Sequence, residues 1–150
     1  METRINAFEK GQKALTTLFG IGSYLRKSTI DKQLLELVNF RVSQINGCAF
    51  CLDMHSKELR AAGETEQRLY GISAWRETPY YTERERAAFA WAEAVTATHV
   101  ADEVYQLAKS QFSDEELIDL TLAVTTINTY NRFNIAFATV PGGYEVGMFG

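Results

Sequence analysis

The chain has 150 residues, of which 46% are hydrophobic and 23% are charged, a balance typical of one folded domain rather than a disordered polypeptide. The formal net charge of −4 and the lack of basic runs argue against nucleic acid as the main partner. No apolar stretch is long enough to span a membrane, and the N-terminus lacks the pattern of an export signal. We therefore expect a single domain over residues 1–150 that works in the cytoplasm, away from nucleic acids and membranes.

The residue pattern predicts an all-α fold, because the chain has only two prolines and lacks the alternating β-branched runs that indicate strands. The expected helices cover, in chain order, about Ile5–Phe19, Asp31–Gln44, Cys48–Gly63, a short stretch from Thr65, Thr82–Thr96, Asp102–Ser110 and Ser113–Val140. The first of them is expected to end in the region of Gly20 and Gly22. Repeats and linkers are not visible, so these helices should pack as one helical bundle.

Local signals indicate where several of these helices begin and end. Thr82 with Glu85, and Ser113 with Glu116, have the spacing of capping boxes, in which side chains satisfy free backbone N–H groups. Asn46-Gly47 is a helix stop, since both residues tolerate the left-handed conformation of a C-cap. The second helix carries one apolar stripe that we expect to be buried: Leu35, Val38, Val42 and Ile45.

The last predicted helix is apolar on more than one face, so it should be buried on most sides or pack against another subunit. The glycine-rich tail adds apolar side chains that need cover: Tyr144, Val146, Met148 and Phe149. One domain of this size would struggle to bury all of this surface, so we expect a homo-oligomer. Asn128, Asn131 and Arg132 interrupt the apolar helix, and we expect them to make hydrogen bonds between helices or subunits.

The two cysteines of the chain, Cys48 and Cys51, lie three residues apart at the predicted start of the third helix. They share one side of its first turn, and His55 follows four residues after Cys51 on the same face. A helix N-terminus stabilises negative charge, and such placement can lower a cysteine pKa from about 8.5 towards neutrality. A structural disulfide is not expected in a reducing cytosol, so the spacing favours reversible thiol–disulfide chemistry.

Glu36 lies too far from Cys48 for contact along one continuous helix, but a hairpin changes this geometry. If the chain reverses at Asn46-Gly47, Glu36 and His55 lie at nearly equal distances from the turn and face each other. A carboxylate bonded to one imidazole nitrogen sets the tautomer and leaves the other nitrogen able to accept a proton from a thiol. The sequence thus predicts a line of proton-handling groups formed by Glu36, His55, Cys51 and Cys48.

Other interpretations of these residues remain open at this point. Cys48, Cys51, His55 and Glu36 could bind a metal, although structural zinc sites usually have more thiolates and a second ligand pair far along the chain. Both cysteines could instead be ordinary buried residues, and Glu36 could be a solvated surface carboxylate. We weigh these below thiol chemistry, because chance seldom places two cysteines in register with a histidine at a helix cap.

The run from Glu36 through Cys48-Ala49-Phe50-Cys51 to His55 resembles the alkylhydroperoxidase D-like (AhpD-like) core of the carboxymuconolactone decarboxylase superfamily. The resemblance continues in four downstream segments: Ala61–Thr65, Ala74–Glu77, Glu83–Ala88 and Ile127–Arg132. It covers most of the chain. The spacing of the glutamate, the CxxC pair and the histidine is more specific than a CxxC pair alone.

This resemblance implies an all-helical fold, assembly as a trimer or hexamer, and peroxidase-type activity. By the same resemblance, Cys51 would be the peroxide-attacking thiolate, Cys48 the resolving thiol, and Glu36 with His55 the proton relay. Phe50 departs from the family pattern, because some members carry a histidine immediately before the second cysteine. The name-giving decarboxylases share the fold without depending on this cysteine pair, so decarboxylation is not implied.

The leading hypothesis is a peroxidase in which a hydroperoxide oxidises Cys51 to a sulfenic acid and Cys48 resolves it to a disulfide. The sequence shows no flavin or nicotinamide fingerprint, so we expect no cofactor, and electrons should come from a protein or a small dithiol. One rival is a general dithiol–disulfide oxidoreductase or redox sensor without peroxide specificity. The other is a non-enzymatic oligomeric binding protein in which the cysteines have no redox role.

Overall fold

The computed structural model describes residues 2–149, and within this range the fold is all-α, with eight α-helices, one 3-10 helix and no strand. The α-helices are α1 (Ala7–Lys10), α2 (Gln12–Leu25), α3 (Lys32–Asn46), α4 (Ala49–Ala61), α5 (Glu66–Gly71), α6 (Glu83–Thr96), α7 (Asp102–Gln111) and α8 (Asp114–Ala136), and the 3-10 helix covers Ile72–Glu77. The all-helical prediction is therefore confirmed. No helix among the described residues combines the length and the apolar character that crossing a membrane requires.

The predicted capping boxes are present at the starts of α6 and α8. The Thr82 hydroxyl accepts a hydrogen bond from the backbone N–H of Glu85, whose carboxylate accepts one from the Thr82 N–H. Ser113 and Glu116 make the same reciprocal pair. Each box satisfies backbone N–H groups that the first turn of a helix leaves without partners, and this fixes where the two helices begin.

The N-terminal region differs from the prediction, since the expected helix over Ile5–Phe19 is two helices that meet at Gly11. Glycine is needed at this junction, because a Cβ on Gly11 would lie 2.7 Å from the carbonyl oxygen of Ala7. The second of these helices, α2, continues through Gly20 and Gly22, so the prediction that these glycines end it is wrong. A glycine inside a helix costs only about 1 kcal/mol relative to alanine, which packing can offset.

The core is organised around α3, which packs against α4, α6 and α8. Leu37, Val38 and Val42 are fully buried there, and each such side chain contributes about 1.5–3 kcal/mol by its burial. Leu35 is also buried, as the predicted stripe requires. The prediction that Ile45 belongs to the buried stripe is wrong. Its side chain is 42% exposed, because Ile45 lies in the last turn of α3, beside the point where the chain reverses.

The long helix α8 packs on one side against α3 and α6 rather than being buried on most sides within this chain, and it ends earlier than expected. Its inner face lies in the core, where Val124 is fully buried, whereas Ile118 on its outer face is 68% exposed. The helix ends at Ala136 rather than near Val140, because Ala138 takes a positive φ of 52° and turns the chain out of the helix.

Helices α3 and α4 form a hairpin that reverses at Gly47, whose φ of 68° is in the left-handed region that favours glycine. The Gly47 N–H donates to the carbonyl of Gln44, and the Cys48 N–H donates to the carbonyl of Ser43. The predicted helix stop at this glycine is confirmed. Because the two helices run antiparallel from the turn, positions equally far from it on α3 and α4 face each other.

The C-terminal tail folds back onto α4 of the same chain. Lys57 Nζ donates to the carbonyl oxygens of Gly142 and Tyr144 at 3.3 and 3.1 Å, and the Gly142 N–H donates to the Asp53 carboxylate at 3.0 Å. The Tyr144 ring is buried, and its hydroxyl donates to the carboxylate of Glu58. The tail is therefore docked, although three of its apolar side chains remain exposed: Val146, Met148 and Phe149.

Candidate active site

Cys48 and Cys51 lie at the N-terminus of α4, directly after the turn at Gly47. Cys48 is the N-cap residue, and its Sγ accepts a hydrogen bond from the backbone N–H of Cys51 at 3.3 Å. The two sulfurs are joined as a disulfide, and each residue is only 1% exposed. After reduction, the helix N-terminus favours an anion on either sulfur.

Glu36 of α3 faces His55 of α4 across the hairpin. Glu36 Oε2 lies 2.7 Å from His55 Nδ1; the His55 side chain is 5% exposed and the Glu36 side chain 36%. Asn39 Nδ2 donates to the other carboxylate oxygen of Glu36 at 3.4 Å. Burial disfavours the Glu36 carboxylate, but the charge attraction and the hydrogen bond from His55 outweigh it, so the pKa of Glu36 lies below its ordinary value. An ionised Glu36 holds the His55 tautomer that carries its proton on Nδ1.

The second ring nitrogen of His55, Nε2, is buried and has no hydrogen-bond partner within residues 2–149. A buried polar atom left without a partner costs about 1–3 kcal/mol. With the Nδ1 proton directed at Glu36, Nε2 is free to accept a proton from a thiol or a bound molecule. The Glu36–His55 pair is therefore suited to moving a proton.

Cys51 and His55 line a cavity of about 660 Å³ that is bounded by α2, α3, α4 and α8. Cavities of this size usually bind small organic molecules, with apolar walls and a few polar groups that orient the ligand. Glu36 and Asn39 supply polar groups on the side of α3. A small substrate in this cavity would therefore meet both the thiol and the proton-handling pair.

Another part of the cavity lining is an aromatic wall formed by Phe8, Tyr144 and Phe149. Phe8 of α1 stacks on Phe149 of the tail with ring centroids 5.0 Å apart, and Tyr144 meets Phe149 at 5.6 Å. Phe50, the residue that departs from the family pattern, contacts Phe8 at 6.0 Å. An apolar ring therefore extends the aromatic wall at the position where some family members carry a polar imidazole.

Asn134 of α8 is a site residue that the sequence analysis missed. It is 7% exposed, lines the cavity, and places its Nδ2 3.6 Å from Cys51 Sγ. Asn128, Asn131 and Asn134 recur at intervals of three along α8, which places them on nearby faces of the helix. That repeat is a usable signal for Asn134, although the predicted polar group on this helix includes only its first two members.

The other two asparagines of the repeat join α8 to the end of α3. Asn46 Nδ2 donates to the side-chain oxygens of Asn128 and Asn131 at 3.0 and 2.9 Å, and Asn131 Nδ2 donates to Ser43 Oγ at 3.0 Å. Arg132 donates to Asn128 Oδ1 at 2.7 Å within α8. The asparagine bonds run between helices, one of the two arrangements expected from the sequence, and hold the turn that precedes the CxxC pair, whereas the bonds of Arg132 stay within α8.

Other titratable residues outside the cavity have structural contacts. Asp53 forms an ion pair with Lys57 at 2.9 Å and also accepts the Gly142 N–H, so it anchors the tail. His99 is exposed in the turn after α6. In the part of the chain that the structure describes, no group of three or more His, Cys, Asp or Glu side chains is placed to hold a metal ion.

Known proteins are similar to this chain in sequence and in fold. The sequence model of the Carboxymuconolactone decarboxylase family matches residues 10–94, from the end of α1 into α6. The uncharacterized protein YdfG of Bacillus subtilis strain 168 is 37% identical over 139 residues, which are 91% of this chain and 95% of that protein. An alkyl hydroperoxide reductase AhpD of Streptomyces coelicolor is 50% identical over 48 residues, which are 30% of this chain and 27% of that protein.

A solved structure extends the similarity over nearly the whole fold. It is the crystal structure of a protein of unknown function from Agrobacterium tumefaciens, described as a candidate AhpD of antioxidant defence. The two chains are 38% identical and superpose with a TM-score of 0.90, and the match covers 95% of this chain and 100% of that one. The helical arrangement around the cavity is therefore shared with a protein of nearly the same length.

Proposed function

The chain belongs to the carboxymuconolactone decarboxylase family and has the AhpD-like fold, and on this premise we propose that it is a thiol-dependent peroxidase. One observation carries the proposal. The buried Cys51 lines a cavity together with His55, whose Nδ1 is bonded to Glu36 and whose Nε2 lacks a partner among the described residues. A thiol, a proton acceptor and room for a small substrate thus meet at one place. Relatives named as AhpD support peroxide as that substrate.

In the first step, the Cys51 thiolate attacks one oxygen of a hydroperoxide. An S–O bond forms and the O–O bond breaks, so that sulfur is oxidised to a sulfenic acid while the peroxide is reduced by two electrons. The other oxygen leaves as an alcohol or as water after it takes a proton. His55 Nε2 accepts the thiol proton and returns it to the leaving oxygen, and Glu36 stabilises the charged imidazole.

In the second step, the Cys48 thiol attacks the sulfenic sulfur of Cys51, an S–S bond forms and water leaves. The two Cα atoms are 5.3 Å apart, so the sulfurs meet without rearrangement of the backbone. A dithiol that is small enough to enter the cavity, or that a protein carries on a flexible segment, then reduces the disulfide and is itself oxidised. The cycle needs no bound cofactor. Reducing compartments maintain such dithiols, and we propose the cytoplasm as the place of action.

The burial of both cysteines favours a small oxidant over general exchange with folded proteins. Each cysteine is 1% exposed, so a disulfide within a folded partner protein could reach either sulfur only after part of this chain had unfolded. A small hydroperoxide can instead enter the cavity that Cys51 lines. The peroxidase is therefore our first choice, ahead of a general dithiol–disulfide oxidoreductase.

Peroxide consumption by the purified protein tests this function. With dithiothreitol as reductant, the protein should consume hydrogen peroxide or tert-butyl hydroperoxide faster than it exchanges oxidised glutathione, and Cys51→Ser should abolish the consumption. His99→Gln is the control variant and should consume peroxide at the wild-type rate, because His99 is the only histidine of the chain besides His55 and lies in an exposed turn. A protein that exchanges disulfides but leaves peroxides intact would contradict the proposal.

We propose further that the chain acts as a homo-oligomer, a trimer or hexamer. Ile118 and Ile135 on α8 are exposed, as are Val146 and Met148 of the tail, and contact with further copies of the chain would remove such apolar side chains from water. Light scattering at micromolar concentration should therefore report a multiple of the chain mass. A monomeric mass would refute this assembly and would leave the peroxidase proposal untouched.

A further inference from the structure

The orientation of the Asn134 amide beside Cys51 is fixed by a second hydrogen bond. Its Nδ2 also donates to the carbonyl oxygen of Tyr130, one turn earlier in α8, at 3.0 Å. A carbonyl oxygen can only accept, so the amide nitrogen rather than the amide oxygen must occupy this position. The same nitrogen therefore presents its other hydrogen to Cys51 Sγ, which lies 3.6 Å away.

We propose that Asn134 is a further catalytic residue, whose side-chain N–H donates a hydrogen bond to the Cys51 thiolate and stabilises it relative to the neutral thiol. The inference deepens the proposed function and rests on it for its catalytic meaning, since the thiolate is the form that attacks peroxide. Hydrogen bonds to an anion are stronger than those to a neutral acceptor, so this contact favours ionised sulfur.

This hydrogen bond distinguishes two cysteines that the helix N-terminus treats nearly alike. Cys48 is the N-cap of α4 and accepts the backbone N–H of Cys51, so the helix also favours an anion on Cys48. Asn134 reaches across from α8 to Cys51 alone of the two. Cys51 is also the cysteine that lines the cavity. Asn134 therefore biases the negative charge towards the sulfur that a substrate can reach.

Other ionisable groups around the cavity act on the same equilibrium. His55 lies one turn beyond Cys51 on α4 and is held by Glu36 of α3. The remaining charged or titratable side chains that line the cavity are Arg26, Asp31, Lys32, Glu58, Tyr130 and Tyr144. The variants used below leave all of these groups in place, so a changed thiol equilibrium reports on the substituted residue.

The test uses the full chain carrying Cys48→Ser, in which Cys51 is the only thiol. The rate of alkylation by iodoacetamide is followed across the neutral and alkaline pH range, and its midpoint reports the ionisation of Cys51. Asn134→Leu keeps the size of the side chain but removes the donor, and it should raise the midpoint by about one pH unit. At a fixed pH below both midpoints, alkylation should slow by about tenfold.

Thr126→Val is the matched control. Thr126 is another buried polar residue of α8 that lines the same cavity, and its hydroxyl donates to the carbonyl of Leu122 rather than to the site. This nearly isosteric change should leave the midpoint where it is. A rise confined to Asn134→Leu supports the proposal, whereas no rise, or an equal rise in both variants, overturns it.

A second measurement keeps Asn134 intact and decides the question if Asn134→Leu does not fold. In the Cys48→Ser protein, the side-chain amide protons of Asn134 should shift in NMR spectra with the same midpoint as alkylation. Amide protons that do not respond overturn the proposal. Peroxide consumption is measured separately. If the Asn134 amide protons shift as expected but the protein leaves peroxide intact, the peroxidase proposal alone is contradicted. If the protein consumes peroxide but the amide protons do not shift, the role of Asn134 alone is contradicted.

Discussion

Two parts of the cavity lining are built differently. In the first, the hairpin of α3 and α4 presents Glu36, Cys51 and His55 from regular helices joined by a tight turn, and we call this the hairpin wall. In the second, the aromatic wall draws Phe8 from a helix of only four residues and Phe149 from the irregular tail. The proposed reacting groups thus lie on long regular helices, whereas the aromatic groups that we expect to meet the body of a substrate lie on a short helix and an irregular segment.

The same contrast holds for what stabilises each wall. Behind the hairpin wall, Leu37 and Val38 of α3 are fully buried in the core. The tail is held mainly at the surface of α4, by hydrogen bonds to Lys57 and Glu58. We therefore expect substitutions in the hairpin wall to change the rate of the chemistry, and substitutions in the aromatic wall to change which substrates are preferred.

The largest expected effect comes from removing the attacking sulfur. Cys51→Ser should lower the rate of peroxide reduction by at least about a thousandfold, because no other group replaces the thiolate. After limited peroxide treatment of Cys48→Ser, mass spectrometry should find sulfenic acid on Cys51. In Cys51→Ser, Cys48 should stay largely unoxidised. The reverse pattern would show that the two cysteines have exchanged roles.

A smaller effect is expected from the proton relay of the hairpin wall. Glu36→Gln and His55→Gln should each slow oxidation of Cys51 by about a hundredfold, and the double variant should be little worse than the slower single one. Stopped-flow measurement of Cys51 oxidation gives these rates. Glu103→Gln, on the exposed face of α7, is the control for Glu36. Fully additive losses would mean that the two residues act on different steps, and an unchanged rate in Glu36→Gln would remove that residue from the relay.

A change in the aromatic wall should alter substrate preference rather than the chemical step. Phe149→Ala removes a ring of the aromatic wall, and stacking of such a ring on the phenyl group of cumene hydroperoxide is worth about 1 kcal/mol, so the KM for this substrate should rise by roughly fivefold. The kcat should stay the same, as should the kinetics with hydrogen peroxide, which is too small to touch the wall. Tyr70→Ala serves as the control, because Tyr70 is an exposed aromatic residue outside the cavity. Equal changes for both peroxides would contradict a role in substrate selection.

The smallest expected effect is on stability. The pKa of Glu36 is lower in the folded chain than its ordinary value of 4.5, so its ionised form stabilises the fold above that pH. This contribution should be lost as the pH falls from 4.5 through the lower folded value. After solvent screening it amounts to at most about 1 kcal/mol. Urea unfolding should show wild type more stable than Glu36→Gln at neutral pH, with the difference vanishing in acid. If the difference in stability between wild type and Glu36→Gln grew in acid, the pKa of Glu36 would be raised by folding rather than lowered.

The hairpin wall is the part of the site that the sequence predicts best, because its signals are local. Glu36 and His55 are 19 residues apart, and one glycine stop between them indicates that they face each other. Asn134 and Cys51 are 83 residues apart; the asparagine repeat marks Asn134 on α8, but no local signal links it to Cys51. Their contact depends on how α8 crosses α4, which is set by packing over the whole core.

The helix boundaries show the same difference between features set by local signals and features set by packing over long distances in the sequence. Capping boxes, as at Thr82 and Ser113, satisfy backbone groups within one turn, so the sequence identifies them correctly. The glycines Gly20 and Gly22 do not end α2, because packing of a helix can outweigh their weak helical propensity. The docked tail is also beyond local prediction, since Gly147 donates to Glu58 from 89 residues away.

The compact hairpin also bears on how the chain matures during synthesis. Glu36, Cys48, Cys51 and His55 leave the ribosome within one short segment, and contacts between near neighbours form sooner than contacts between distant residues. The thiol pair can therefore assemble while α8 and the tail are still being translated. During that interval the sulfurs lack the cover that these later segments provide, so the growing chain is more open to oxidation than the finished protein.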